Sequence, residues 1–458
     1  MVRIKKPKIK VLYPADITTD QSYEIYAKYV HSFEVLSKDF DVEIVGRIKE
    51  DVFKKLYPNS LPYVYFFDSE IFSRNLSREE IDKAEQYVGL SFNYMFFSNQ
   101  KRWYWLNKSG LDEKVARYVY AWQELLKDTD VIIPTLDNLF YMHTAERVAE
   151  RMGIKVIKMI RGRLVNDSLI FWNINNQPIY YKSRSKEGIA EKFVDRTLKQ
   201  KTNVKIDKTA INKTENLLFR FVNMPKKLFL LVEDKDRALD ADIPSLLPKY
   251  IRLFSMGMRY LLYPSLHSLL FENSRKEDYF LFPLHYEWEA QLAYREPFIN
   301  QLKLAKQISE ILPRNTYLYI KVHPHWKNAD QSFLEALNLK RQKNIRLIHP
   351  SENTTELIRN SLGVIILNST VGYEALLLRK PLIVLGHEAY REVGIDVKDM
   401  NMLPRVLMSV KNGEYRVDTQ NYHRFLRKYT SNIFSTDDPK KIASELKEVI
   451  TWMLSRSE

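Results

Sequence analysis

The sequence predicts an α/β protein in which parallel sheets are flanked by helices, and two observations carry that prediction. From Tyr279 to Gly394 five short apolar runs recur, at Tyr279–Pro283, Tyr317–Val322, Ile345–Ile348, Val364–Leu367 and Leu382–Leu385, with helix-like segments between them. Repetition of strand, helix and strand builds a parallel sheet covered by helices. A second set lies earlier. Ile9–Tyr13, Val42–Val45, Val131–Pro134 and Lys155–Ile160 read as buried strands, and Tyr23 to Leu36 has helical spacing between the first two. At 458 residues the chain exceeds one ordinary core, so two such domains are expected.

Composition narrows the function classes. Hydrophobic content of 45% supports a globular protein, and the net charge of +14 suits an anionic partner such as nucleic acid, an acidic membrane face or a phosphorylated substrate. A lysine-rich solvated surface is the plainer account of the same charge. No RRM, KH or helix-turn-helix signature accompanies it, so nucleic acid is not taken as a partner. The absence of cysteine excludes disulfides and thiolate metal sites. Val11-Leu12-Tyr13-Pro14 is too short for a signal-peptide core, and no run of about 18 apolar residues occurs. A cytoplasmic protein, soluble or peripheral at the inner face of the membrane, is the expectation.

Along the chain, the opening strand–helix–strand has no Gly-rich phosphate loop, which lowers the case for a dinucleotide enzyme. Residues 51–122 are helical and aromatic-rich, including Tyr94–Phe97 and Trp103–Trp105, and read as core or as an acceptor-binding insertion. Leu136-Asp137-Asn138 follows the strand Val131–Pro134. A helix from about Tyr141 to Met152 ends at Gly153, and Arg161-Gly162-Arg163 follows the next strand. Tyr180–Glu215 is a basic excursion. Ser245–Phe271 mixes apolar residues with Lys249, Arg252 and Arg259, as either an interdomain helix or a basic amphipathic surface for anionic lipid. A domain boundary is expected in polar Phe271–Asp278. Pro404–Phe434 is weakly periodic, and Asp438-Pro439 opens a last helix with Ile442, Leu446, Val449, Ile450, Met453 and Leu454 on one stripe.

The polar residues after the central strands carry the chemistry. Ligands of open α/β sheets bind beyond the carboxyl ends of the strands, and five of the nine histidines, His285, His323, His325, His349 and His387, fall in these loops. Asn368-Ser369-Thr370-Val371-Gly372 leaves a strand and opens a helix, so free N–H groups and two hydroxyls can hold phosphate there. A helix cap from Ser369 or Thr370 is the plainer alternative. Gly372, a turn into that helix, admits close approach of a ligand or another backbone. Pro324 ends the strand through Lys321 and holds His323 at the crevice, where it can donate to phosphate or carry a proton. No His, Asp and Glu grouping has a metal-motif spacing, so no metal is expected. Glu287 and Glu289 do not form a supported acid/base pair, and Glu374 sits either on a solvated helix surface or near a sugar hydroxyl.

Tyr279–Tyr286, Glu289, Asn300-Gln301, Leu318–Pro324, Asn368–Leu376, Lys380-Pro381 and Gly386 through Tyr390 to Gly394 together resemble, in order, the capsular polysaccharide biosynthesis family, which includes transferases of 3-deoxy-octulosonate (Kdo). Val131–Trp172 is similar to that family's N-terminal domain, although Arg161-Gly162-Arg163 is basic where acidic residues would precede the glycine. The resemblance implies a GT-B-like architecture of two Rossmann-like domains facing across a cleft: 1–275 for the acceptor, 276–437 for a nucleotide sugar, and 438–458 as a helix returning to the first. It implies a glycosyltransferase without metal or resident cofactor, its co-substrate a nucleotide sugar such as CMP-Kdo and its acceptor a glycan or glycolipid. His285, Glu289, Lys321, His323, Pro324, Ser369, Thr370, Gly372 and Glu374 would hold the donor, with His323, Ser369 and Thr370 on phosphate and Glu374 near the ribose. Asp137 and Asp167 are the candidates for general base. Two other readings stay open: a nucleotide-sugar 2-epimerase-like enzyme, and a non-catalytic protein that binds polysaccharide or assists its export.

Overall fold

Continuous apolar runs become strands buried on both faces, and two parallel sheets result. The computed structural model describes residues 6–13, 20–58, 61–92, 111–135, 140–162, 168–182, 270–285, 300–322, 332–349 and 352–456. The chain divides into two units, Met1–Gln100 with Lys108–Ile189 and Leu426–Glu458, and Lys101–Asn107 with Ala190–Phe425.

In the first unit β1 (Lys8–Leu12) leads through α1 (Asp20–Leu36) to β2 (Asp41–Gly46), then α2 (Glu50–Leu56) and the short β3 (Tyr63–Tyr65). Next come α3 (Arg78–Val88), α4 (Leu111–Leu125), β4 (Val131–Pro134), α5 (Phe140–Met152) and β5 (Lys155–Val156). These five strands form one parallel sheet in the order β3-β2-β1-β4-β5. Ile9, Val11, Ile44 and Ile133 are fully buried on one face, each such burial stabilising by about 1.5–3 kcal/mol. The aromatic stretch is core where it is described. Trp122 is buried against Phe66 and Tyr141, and its indole N–H donates to the Tyr141 carbonyl at 2.8 Å. The clusters at 94–97 and 103–105 lie outside the described residues.

Lys155–Ile160, expected as one strand, is two. β5 stays in the parallel sheet, whereas β6 (Lys158–Arg161) pairs antiparallel with β7 (Ser168–Trp172). The change of partner turns Lys158 into a buried pair with Glu146 of α5 at 2.6 Å, and Lys158 also donates to Asn176. An unpaired buried charge would be costly, and this pairing supplies the counter-charge.

The second unit runs β8 (Tyr279–Pro283), α6 (Gln301–Glu310), β9 (Tyr317–Lys321), α7 (Ser332–Lys340), β10 (Ile345–Ile348), α8 (Thr354–Asn360), β11 (Gly363–Ile366), α9 (Val371–Leu377), β12 (Leu382–Val384) and β13 (Ile395–Asp396). All neighbours are parallel, in the order β10-β9-β8-β11-β12-β13. Phe280, Phe282, Leu318, Ile320 and Leu347 pack one face of this sheet, and Leu270 and Phe271 already belong to its core. The boundary expected in 271–278 therefore falls inside this unit: Glu272 bridges to Ile348 and extends the edge of the sheet.

Two helices follow where only weak periodicity was expected, α10 (Leu403–Lys411) and α11 (Thr419–Ser431). Leu403, Leu407 and Val410 are buried on the one, and Tyr422, Phe425, Leu426 and Tyr429 on the other, both at helical spacing interrupted by cations. The chain returns to the first unit at Leu426, within α11, rather than at Asp438. The reason is β14 (Phe434–Ser435), which pairs antiparallel with β7 and sets Phe434 against Phe171 at 4.8 Å. Asp438 caps α12 (Pro439–Leu454) by accepting from the Lys440 N–H. Ile442, Leu446, Val449 and Ile450 are fully buried in the first unit's core, and Lys447 reaches Asp39 at 2.8 Å.

Candidate functional site

The second unit's strand order reverses between β8 and β11. From β8 the chain builds outward through β9 and β10, then crosses back to place β11 on the other side of β8. Such a reversal leaves a crevice beyond the carboxyl ends of the two central strands, where ligands of doubly wound sheets bind. The residues that the sequence singled out stand at the carboxyl ends of the strands. His285 follows β8, Lys321 closes β9, His349 follows β10 and Asn368-Ser369-Thr370 follows β11.

His285 is buried, and its backbone is held by a side-chain amide. The His285 N–H donates to Gln301 Oε1 at 2.7 Å, and Gln301 Nε2 donates back to the His285 carbonyl at 3.1 Å. Gln301 imitates a neighbouring strand at the point where the ladder has stopped. It can do so because Asn300 caps α6 by accepting from the Leu302 and Lys303 N–H groups, which fixes the first turn.

Lys321 is only 8% exposed, and its ammonium donates to the Glu352 carbonyl at 2.8 Å. Burial pushes its pKa down to about 8, against the opposing pull of the Glu352 carboxylate. His349 stands edge-on to Phe271, and burial likewise lowers its pKa, with Glu352 opposing and Lys321 adding to the shift. A lysine that still carries its proton near neutrality, with little water around it, interacts strongly with an anion.

After β11, Asn368 is buried, Ser369 half-buried and Thr370 exposed. Ser369 Oγ accepts from the Val371 N–H at 3.3 Å, and the Ser369 carbonyl accepts from the Gly372 N–H at 3.1 Å. These first N–H groups of α9 are thus satisfied within the chain, as the plainer capping alternative has it. What the turn offers a ligand is hydroxyl protons. The notch beside Gly372 is filled by protein: a Cβ there would meet the Tyr390 ring at 2.6, 2.7 and 3.1 Å. Glu374, one turn on, is half-buried, its carboxyl held toward the protonated form by burial, and among the described residues no partner engages it.

Asp137, Asp167, Glu289, His323 and Pro324 lie outside the described residues, and the structure describes the other six expected site residues, His285, Lys321, Ser369, Thr370, Gly372 and Glu374, at or just after the ends of β8, β9 and β11. Sequence reasoning missed the supports. Gln301 and Tyr390 both stand in the quoted motifs, but only the fold shows which backbone each one holds. Among the described residues no group of three His, Asp or Glu could hold a metal ion, and no helix is long and apolar enough to cross a membrane.

The first unit has its own reversal, between β1 and β4. Thr135, directly after β4, donates its hydroxyl to the Leu12 carbonyl at 2.7 Å and ties the two strand ends together. Arg47, after β2, is nearly buried with its guanidinium beside the Phe67 and Tyr141 rings, at 5.8 and 5.6 Å. Gly162 donates its N–H to the Ser168 carbonyl, and Ser168 Oγ occupies the space a Cβ would need. His143 is buried on α5, and burial first, then Arg147 and Lys158, lower its pKa to about 3.

Several solved structures align with the chain at low scores. A UDP-GlcNAc 2-epimerase from Methanocaldococcus jannaschii aligns over 97% of this chain and 99% of that one, at 15% identity and a TM-score of 0.24. KpsC from Thermosulfurimonas dismutans, a beta Kdo 2,7 transferase, aligns over 90% and 99% at 15% identity and 0.34. A glycosyltransferase from Rickettsia africae ESF-5 aligns over 99% and 100% at 12% identity and 0.29. At such scores the likeness carries no argument, and the α/β fold rests on the sheet orders themselves. No curated protein matches in sequence. Residues 249–408, which hold β8 to β13 and the described site, match the family described as capsule polysaccharide biosynthesis protein.

Proposed function

We propose that this protein is a glycosyltransferase of capsule or surface-polysaccharide assembly, and that its second unit holds a nucleotide-sugar donor. One observation supports this above the others. A weakly basic buried lysine at the end of β9, a stapled histidine after β8 and two serine/threonine hydroxyls after β11 stand at the carboxyl ends of neighbouring strands of one parallel sheet, within the stretch that matches the capsule family. Hydroxyl and ammonium donors suit a phosphate, and among the described residues no carboxylate bonds Ser369 or Thr370.

In this reading Lys321, Ser369 and Thr370 donate to the donor phosphate together with His323, which follows β9 in the sequence. His285 and Glu289 border the sugar, and Glu374 hydrogen-bonds the ribose. Concentrated donors stabilise charge on the departing nucleotide as the glycosidic bond breaks, which is where preorganised electrostatics lower a barrier most. The first unit supplies the acceptor surface for a glycan or glycolipid. Asp137, after β4, and Asp167, before β7, are its candidates for taking the acceptor hydroxyl's proton. CMP-Kdo is the specific donor proposed. The reaction is placed at the cytoplasmic face of a membrane, with anionic lipid as a further partner of this cationic chain.

A thermal-shift series with CMP, UDP, GDP and their sugars tests the donor class. A ligand at a hundred times its Kd stabilises the folded state by about 2.7 kcal/mol, which a melting curve resolves readily. Stabilisation by cytidine nucleotides alone is the expected result, whereas a response to UDP alone overturns the CMP assignment. Release of an epimerised nucleotide sugar in the absence of acceptor would overturn the transferase itself.

A further inference from the structure

We infer that Tyr390 is a positioning residue for the donor: it locks the Ser369-Thr370 turn from behind, across the loop that follows β12. The inference rests on the donor reading of the second unit and adds a residue to it.

Tyr390 is fully buried, in a short 3-10 turn, Ala389–Glu392, between β12 and β13. Its hydroxyl donates to the Ser369 carbonyl at 3.1 Å. That same oxygen accepts from the Gly372 N–H at 3.1 Å, so two donors from different segments fix one carbonyl. The ring lies in the notch at Gly372 and meets Tyr373 edge-to-face at 4.9 Å, with 79° between the planes. A residue with a side chain at 372 would expel it. The loop that carries Tyr390 is held in turn at both ends. Glu388 accepts from the Ala389 N–H at 3.0 Å, and Arg391 Nε donates to Asp396 at 2.5 Å. Before them, Gly386 passes so close to Leu367 that a Cβ would stand 2.6 Å from its carbonyl oxygen.

The consequence for chemistry follows from the hydrogen-bond inventory of the turn. Ser369 Oγ already accepts from the Val371 N–H, so its proton is what remains to be given away. Where that proton points depends on the backbone of Ser369, and that backbone is held by Tyr390. Loss of the phenol hydroxyl leaves the ring in its notch but frees the carbonyl from one of its two donors. The donor's phosphate then meets a turn whose hydroxyls must be ordered at the moment of binding.

The test is Tyr390→Phe in the full chain, with two readouts. In the absence of nucleotide, amide hydrogen exchange in the peptide spanning residues 366–374 should quicken by about threefold to tenfold, the range expected for one lost hydrogen bond, while peptides from β8 and β9 are unchanged. In turnover with the nucleotide sugar that stabilises the wild type, KM should rise by a similar factor with kcat little altered, because the loss falls on binding. Unchanged exchange overturns the lock. Quickened exchange with unchanged KM makes Tyr390 structural only and overturns its role toward the donor. A wild type that binds no nucleotide overturns the donor reading, and the positioning role with it, while the exchange result still decides whether the lock exists.

Discussion

Replacing Lys321 by methionine removes a cation that the second unit holds almost without water. Burial lowers the pKa of this ammonium from 10.5 to about 8. The folded protein therefore releases the proton near pH 8, while the unfolded chain keeps it to about 10.5. Between those values the unfolded state binds more protons, and stability rises with pH. Below pH 8 the burial penalty is present in full. The rise between about pH 7 and pH 10 amounts to roughly 2–3 kcal/mol, from 1.36 kcal/mol for each tenfold step in proton affinity. Lys380, lowered by burial in the same direction, is common to both proteins and cancels in the comparison. Urea midpoints measured for wild type and Lys321→Met across this range should converge toward pH 10, because only the wild type gains. Parallel curves would show that Lys321 is not held as a desolvated cation, and would remove its case as a phosphate contact. The same titration bears on binding. An anion beside the ammonium favours its charged form, so nucleotide affinity should fall as pH passes about 8 in the wild type and stay flat in the variant.

Two further substitutions test the packing that holds the site and the return of the chain. Gly372→Ala forces a methyl against the buried Tyr390 ring, and overpacking of this kind lowers stability by about 1–3 kcal/mol. An unchanged melting temperature would mean that the ring moves aside freely. Leu446→Ala empties a fully buried position of α12 in the first unit's core, with an expected loss of about 2–5 kcal/mol in denaturant unfolding. A loss well below that range would show that α12 only rests on the unit.

The strands were legible wherever a run was apolar on both faces. Tyr279–Pro283 and Val131–Pro134 are buried at every residue, and the expected limits are the observed ones. β3 and β13 escaped notice because edge strands need only one buried neighbour, so Tyr63–Tyr65 and Ile395-Asp396 carry no long apolar run. α10 and α11 were missed for another reason: Arg405, Arg424, Arg427 and Lys428 break the text of a stripe that is intact in space. The change of sheet at Ile157 was invisible, because a buried lysine looks like a surface lysine until Glu146 is seen opposite it. In the candidate site, the residues named from the sequence are those that end or follow strands. Their supports were not legible there, since Gln301 and Tyr390 act on backbone that is distant in sequence.

That division between exposed donors and buried supports has a consequence for how the site is assembled. His285 is held by Gln301 of the next helix, Lys321 by the Glu352 carbonyl after β10, and Ser369 by Tyr390 after β12. In each case the support comes from later in the chain than the residue it holds. β8 and β11 are neighbours in the sheet although β9 and β10 separate them in the chain. The Ser369 turn is complete only with Tyr390 in place after β12. Pairings of long sequence separation must meet their loop-closure entropy before any contact repays it. The backbone of the Ser369-Thr370 turn is thus held by contacts of long sequence separation, which only the folded unit supplies. The capsule-family motifs, spread from Tyr279 to Gly394 with long gaps, fit this physics: the motif residues fall where one strand's end needs another segment to hold it.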